Sequence, residues 1–314
     1  MKMLVTDGSV CYVRTSSHVV SERDRNSSPE GSLCRNFPWH DKCTLNTLVL
    51  GGVAVSWQLV YSYVDYVLQF RALRSDPIYR TDPSSAGSKD PILLIPGFLT
   101  GDWSLQVMSN WLTRRGHKVY PSTIGWNIQC PHQTSILLKH RLASLFEENA
   151  RPLIVIGHSL GGVLARFLSI ESPQYVRHAI ALGSPIDGSM RVHPLVPLTF
   201  RALQKSRQIS GSSPSPCAQD LRCSCPFTTT VFAPLPQTAR FSALYSRQDE
   251  IVHWQSCIDP HGDNYEISGL HMGLIVNPEV YRTLASILTS PVRSPVLASK
   301  TRPRLRSSLA FQSG

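Results

Sequence analysis

The sequence predicts an α/β domain built on a mostly parallel β-sheet with helices on both faces. Three observations carry that expectation. Short continuous apolar runs recur from about residue 75 onward, and amphipathic helical stretches separate them. Strands buried on both faces read as unbroken apolar runs, whereas half-exposed strands alternate apolar with polar. Finally, 314 residues with 42% hydrophobic and 17% charged content are enough to bury a sizeable core. No period of twenty to fifty residues repeats, which argues against a solenoid or a propeller.

Taken in order, residues 1–43 are polar, mixed in charge and without a period, and are expected to be a poorly structured extension. The opening run MKMLVTDGSVCYVRT has no sustained apolar core or small-residue cleavage pattern, so direct secretory processing is not expected. Residues 44–74 read as a hydrophobic helix that is docked, interfacial or membrane-spanning. Within it Gln58, Ser62, Asp65 and Gln69 recur at helical spacing on one face. Membrane contact through 44–70 therefore stays open, with docking or lying at an interface ahead of spanning.

From 75 to 290 the pattern is that of one domain. PILLIP (from Pro91), HKVYPS (His117), PLIVIG (Pro152), HAIALGS (His178), ARFSALYS (Ala239) and NYEIS (Asn264) are strand candidates. Helices are expected near 103–114, 135–148, 160–171 and 278–288, the second showing Leu138, Leu142 and Leu145 at helical spacing. Residues 186–237 interrupt the alternation with a Cys-, Pro- and Ser-rich insertion, a candidate lid. Residues 291–314 form a basic, Ser- and Pro-rich tail expected to be disordered, and it contributes much of the +10 formal charge. No nucleic-acid-binding motif accompanies that charge, so no nucleic-acid partner is expected.

The chemistry centres on Gly157-His158-Ser159-Leu160-Gly161, a G-x-S-x-G run wedged between a predicted strand and a predicted helix. A serine hydroxyl is a weak nucleophile unless a sharp turn holds it exposed beside a base, and the flanking glycines let the backbone make that turn. The N–H of Leu160 at the helix start, and that of Phe98 in the earlier Pro96-Gly97-Phe98 turn, are candidate oxyanion donors, with Leu99 as the alternative. Asp249, after the strand ARFSALYS, is the candidate acid; neighbouring Glu250 is expected to point elsewhere, and Asp187 competes. His271, between the last strand and the last helix, is the candidate base, ahead of His253, His158 and His193.

Together GHSLGGVLARFLS, LLIPGF, YSRQDEIVHW and SGLHMGLIVNPEVY resemble the α/β-hydrolase superfamily, closest to bacterial lipase- and esterase-like serine hydrolases, over residues 75–290. The resemblance implies Ser159 as nucleophile, Asp249 as acid, His271 as base and Phe98 with Leu160 as the oxyanion hole. It implies hydrolysis of a small-molecule or lipid carboxylic ester, with no cofactor and no metal. Acyl transfer through the same acyl-enzyme, or a non-catalytic binding scaffold, are the alternatives. The cysteines at 217, 223, 225 and 257 lack the usual paired zinc spacing, and a local disulfide in the lid is the leading expectation.

Overall fold

A computed structural model describes residues 2–6, 9–13, 47–50, 53–80, 90–188, 191–209, 226–236 and 239–290. The chain divides into two compact units, Met1–Thr47 and Leu48–Gly314. In the first, β1 (Lys2–Thr6) and β2 (Ser9–Val13) pair antiparallel, Lys2 opposite Val13 and Thr6 opposite Ser9. Part of the segment that shows no period in sequence is therefore a regular hairpin. The basic tail and the cysteines at 34, 43, 217, 223 and 225 lie outside the described residues.

The helix expected over 44–74 begins later than its apolar composition suggests. β3 (Thr47–Leu50) and β4 (Val53–Ser56) form a two-stranded sheet, and α1 runs only over Trp57–Ser75. The reason lies in TLVLGGVAVS: two glycines disfavour a helix there, and the β-branched Thr47, Val49, Val53 and Val55 suit strands. Among the described residues no helix is long and apolar enough to cross a membrane. α2 (Pro77–Arg80) follows α1 directly.

Six strands make the central sheet: β5 (Ile92–Ile95), β6 (Val119–Pro121), β7 (Leu153–His158), β8 (Val176–Leu182), β9 (Arg240–Tyr245) and β10 (Asp263–Glu266). Their order is β10-β9-β8-β7-β5-β6 and every pairing is parallel. The helices α3 (Gln106–Arg114), α4 (Pro131–Asn149), α5 (Leu160–Glu171) and α8 (Pro278–Thr289) fall where the sequence places them.

Successive strand residues feed opposite cores. Ile92, Leu94, Ile154 and Ile156 pack with Leu73, Met108, Trp111, Leu284 and Ile287 on one face. Leu93, Ile95, Leu153 and Val155 pack with Leu138, Leu142, Leu164 and Leu168 on the other. β5 and β7 are therefore buried on both sides, which is why PILLIP and PLIVIG contain no polar residue between their ends.

The strand order matters more than the strand count. From β5 the chain steps outward to β6, then crosses back to β7 and proceeds in the other direction. The carboxyl ends of β5 and β7 thus mark the point where the strand order reverses, outside which open parallel sheets form their ligand crevice. The insertion between β8 and β9 contains α6 (Leu195–Ile209) and α7 (Pro226–Val231). Buried Arg166 of α5 anchors its far end, pairing with Asp259 at 3.0 Å and donating to the carbonyls of Val231 and Ala233. Cys257 is a buried free thiol, as is Cys130, so Cys257 takes no part in a disulfide staple.

Candidate active site

Ser159 stands at the carboxyl end of β7, on the residue where strand becomes helix. Its backbone has φ 53° and ψ −121°, a conformation an L-residue adopts only under strain, and one that lifts the side chain out of the turn. The turn needs both glycines for space. A Cβ on Gly157 would lie 2.1 Å from the Gly161 carbonyl oxygen, and one on Gly161 would lie 2.1 Å from that of Ile95. The next N–H groups begin α5 and point out of its first turn, where they and the helix dipole favour negative charge.

The loop after β5 lies against this turn: a Cβ on Gly97 would come within 3.2 Å of Ser159 Cβ. Asn127 fixes the loop from below. It donates from its side-chain amide to the Pro96 carbonyl at 2.9 Å and from its backbone to Thr100 at 2.8 Å, and accepts the Leu99 N–H at 3.1 Å. Leu99, the alternative donor, has thus committed its N–H to the Asn127 carbonyl. The Phe98 ring meets Phe200 of α6 with centroids 5.8 Å apart, so the insertion packs on this loop.

His271 occupies the loop between β10 and α8 and is held at three points. Its Nδ1 lies 2.7 Å from Asp249 Oδ2, with side chains 4% and 0% exposed. Its carbonyl lies 3.1 Å from Nε2 of buried His158, and the two imidazole rings have centroids 4.7 Å apart. Its N–H donates to Glu250 Oε2 at 3.0 Å. Asp249 is fixed in turn, because its Oδ1 accepts the N–H groups of Ile251 (2.9 Å) and Val252 (2.7 Å).

Burial alone would disfavour an imidazolium at His271. The Asp249 charge and hydrogen bond, with the Glu250 charge, outweigh that and leave its pKa above the ordinary histidine value. The opposite holds for His158, which burial and the neighbouring His271 charge push down to about 3 against a smaller opposing hydrogen bond. The two adjacent imidazoles thus differ, one with its pKa raised and the other with its pKa lowered. With Nδ1–H donating to the Asp249 carboxylate, the neutral His271 ring leaves Nε2 as an acceptor. No hydrogen bond joins the Ser159 hydroxyl to His271 among the described residues; such contacts are often long in empty sites and shorten when substrate arrives.

Asp187, His253 and His193 make other contacts. Asp187 ion-pairs with Arg191 at 3.8 Å and its N–H donates to the Ser256 carbonyl. His253 stacks on Trp254, and the N–H of Leu195 donates to His193 Nδ1 at 3.3 Å. Glu250, expected to point away, instead lies on the His271 backbone. Asn127 had no signal in the sequence, whereas Asp65, which reaches the His271 loop, and Ser62, which holds Glu250, were visible as a polar face on α1. Among the described residues no cluster of His, Cys, Asp or Glu could hold a metal ion.

The strand order, with a serine turn at the end of β7 and a histidine loop after β10, defines the architecture. The chain has the α/β-hydrolase fold. No family model matches the chain, and no curated protein matches it. Among solved structures, a mature lipase of Bacillus licheniformis is similar at 14% identity and TM-score 0.47, over 69% of this chain and 96% of that one. A carboxylesterase of Bacillus subtilis is similar at 12% identity and TM-score 0.42, over 73% and 99%. An α/β hydrolase from a lagoon-sediment metagenome is similar at 16% and 0.40, over 64% and 90%. The fold assignment rests on the strand order and the serine turn, not on these distant likenesses.

Proposed function

We propose that this chain is a serine hydrolase that cleaves carboxylic esters, with Ser159 as nucleophile, His271 as base and Asp249 as the acid that orients it. The observation that carries the reading is the buried 2.7 Å pair between Asp249 and His271 beside a strained serine turn. A buried carboxylate–imidazole pair with the imidazole pKa raised is what a general base requires.

In the reaction His271 Nε2 takes the Ser159 proton as Oγ bonds to the ester carbonyl carbon. The carbonyl oxygen becomes an oxyanion, held by the N–H groups of Phe98 and Leu160. Collapse breaks the bond to the alcohol oxygen, which leaves with the proton from His271. Water, deprotonated by His271, then attacks the acyl-enzyme, and Ser159 departs with that proton. Asp249 holds Nδ1 throughout and steadies the imidazolium.

The acyl group is assigned to apolar esters. Leu99, Trp103, Trp126, Leu195 and Leu198 are exposed, the two indoles meet edge to face at 6.0 Å, and all belong to the Phe98 loop, its neighbours or α6. Exposed apolar side chains on the loops around a site are what an apolar ligand or interface uses. The insertion between β8 and β9, which carries α6, is assigned as its lid.

A fluorophosphonate reagent tests the core of the reading. The wild-type protein is expected to be labelled on Ser159, and Ser159→Ala is expected to lose both labelling and aryl-ester hydrolysis, by about 10⁴-fold or more. An unlabelled, folded wild type would overturn it.

A further inference from the structure

The loop that carries His271 is held in an unusual way. Four consecutive backbone N–H groups each donate to a side-chain oxygen, and none to a backbone carbonyl. Ser268 donates to Glu279 Oε2 at 3.0 Å and Gly269 to Gln248 Oε1 at 2.8 Å. Leu270 donates to Asp65 Oδ2 at 3.1 Å and His271 to Glu250 Oε2 at 3.0 Å. The acceptors come from α8, from the loop after β9 and from α1, so three separate segments converge on four residues.

Two of the four run through α1. Asp65 reaches the loop directly and packs so closely that a Cβ on Gly273 would fall 2.1 Å from its Oδ2. Glu250 reaches it on one oxygen and accepts the hydroxyl of Ser62 on the other. Ser62 is 2% exposed, although α1 lies outside the sheet and presents Tyr61, Tyr63 and Leu68 to solvent. The inward face of the helix carries Ser62 and Asp65 beside Tyr66, Phe70 and Leu73, which pack on the core, and its polar members hold the loop of the candidate base and its Glu250 support.

We propose that Glu250, gripped by Ser62 of α1, is a positioning residue that fixes the His271 backbone so that the imidazole stays aimed at Ser159. The inference rests on the serine-hydrolase reading. Asp249 secures only the Nδ1 end of the ring. The Cα end needs its own restraint, which Glu250 supplies at the N–H and His158 at the carbonyl. A shift of about 1 Å at a reacting group costs about a hundredfold in rate. The groups that face His271 are Asp249 and Glu250 from the loop after β9, His158 from β7, and Asp65 from α1, which meets its loop. Glu250 therefore acts on His271 by geometry and by charge, and both are measurable.

The test is the rate of fluorophosphonate labelling of the full chain between pH 5 and 9. It uses wild type, Glu250→Gln, Ser62→Ala and Ser62→Thr, each checked for folding by its thermal midpoint. Glu250→Gln is expected to label about ten- to a hundredfold more slowly at the plateau, with its acid limb moved to lower pH because one negative charge is gone. Ser62→Ala is expected to slow labelling with a smaller move, and Ser62→Thr to restore it. Wild-type rates and limbs in Glu250→Gln and Ser62→Ala would overturn the proposal, as would slowing with an unmoved limb in Glu250→Gln. An unlabelled wild type removes the serine-hydrolase reading and this inference with it, whereas a labelled wild type with indifferent variants removes this inference alone.

Discussion

The two halves of the crevice are built by different means. The Ser159 half is made of backbone: a fully buried strand, two glycines with no room for a methyl group, and the first turn of a helix. The His271 half is made of side chains, since its loop has little regular structure of its own and hangs on Glu279, Gln248, Asp65 and Glu250. A backbone-built feature is coupled to the hydrophobic core, and disturbing it endangers the fold. A side-chain-built feature is spread over many partial restraints, so single changes should dull the site before they unfold the protein.

The largest expected effect breaks the first half. Gly157→Ala drives a Cβ into the Gly161 carbonyl, with no flexible side chain to yield, and should cost at least about 3 kcal/mol. The urea midpoint should fall and Ser159 labelling with it; a wild-type midpoint would show that the turn has slack. The next breaks the second half. Asp249→Asn should lower kcat by about 10⁴-fold while the thermal midpoint moves little, since the wrong tautomer of His271 disables the base without opening the core. Asp187→Asn, which alters the pair with Arg191, should leave kcat near wild type. Loss of activity in Asp187→Asn alone would exchange the two assignments.

The pH profile sharpens the same contrast. Only neutral His271 accepts a proton, so kcat/KM should rise with pH through a pKa above the ordinary 6.5. His158, held near 3, is neutral across that range and adds no limb. In Asp249→Asn the lowering by burial remains and the main raising charge is gone, so the limb should move to lower pH. A limb that moves upward would contradict the geometry. Of smaller size, Gln248→Ala should cost about 1–3 kcal/mol, because the buried Gly269 N–H loses its acceptor, and should slow labelling modestly.

The same division decides what could be read from the sequence. The six strands of the central sheet, α3, α4, α5, α8 and the serine turn were legible because apolar runs, helical spacing and a strand–glycine–helix junction are local signals. Each depends only on neighbours in the chain. Glu250 lies on the His271 backbone twenty-one residues away, and Asp65 and Ser62 reach the same region from α1. No local pattern specifies such a contact, so Glu250 was expected to point elsewhere. The start of α1 was misplaced for a related reason: overall apolarity outweighed two glycines and a β-branched alternation. Asn127 is invisible for want of any motif, since it acts through two backbone bonds and one amide.

The smallest predicted effect belongs to α1 and separates its two faces. Leu68 is 59% exposed on the outward side, and Leu68→Gln replaces an apolar group that faces solvent. Surface changes of this kind usually stay within about 0.5 kcal/mol. The thermal midpoint and the labelling rate in dilute solution should therefore match wild type, whereas Ser62→Ala, six residues earlier on the inward side, slows labelling. Equal slowing in both variants would mean that the helix supports the loop only as a packed body. In that case the individual bonds from Ser62 and Asp65 would lose their special place. Slowing in Ser62→Ala alone means that the restraint runs through named side chains, and that the apolar face can serve another purpose without disturbing the base.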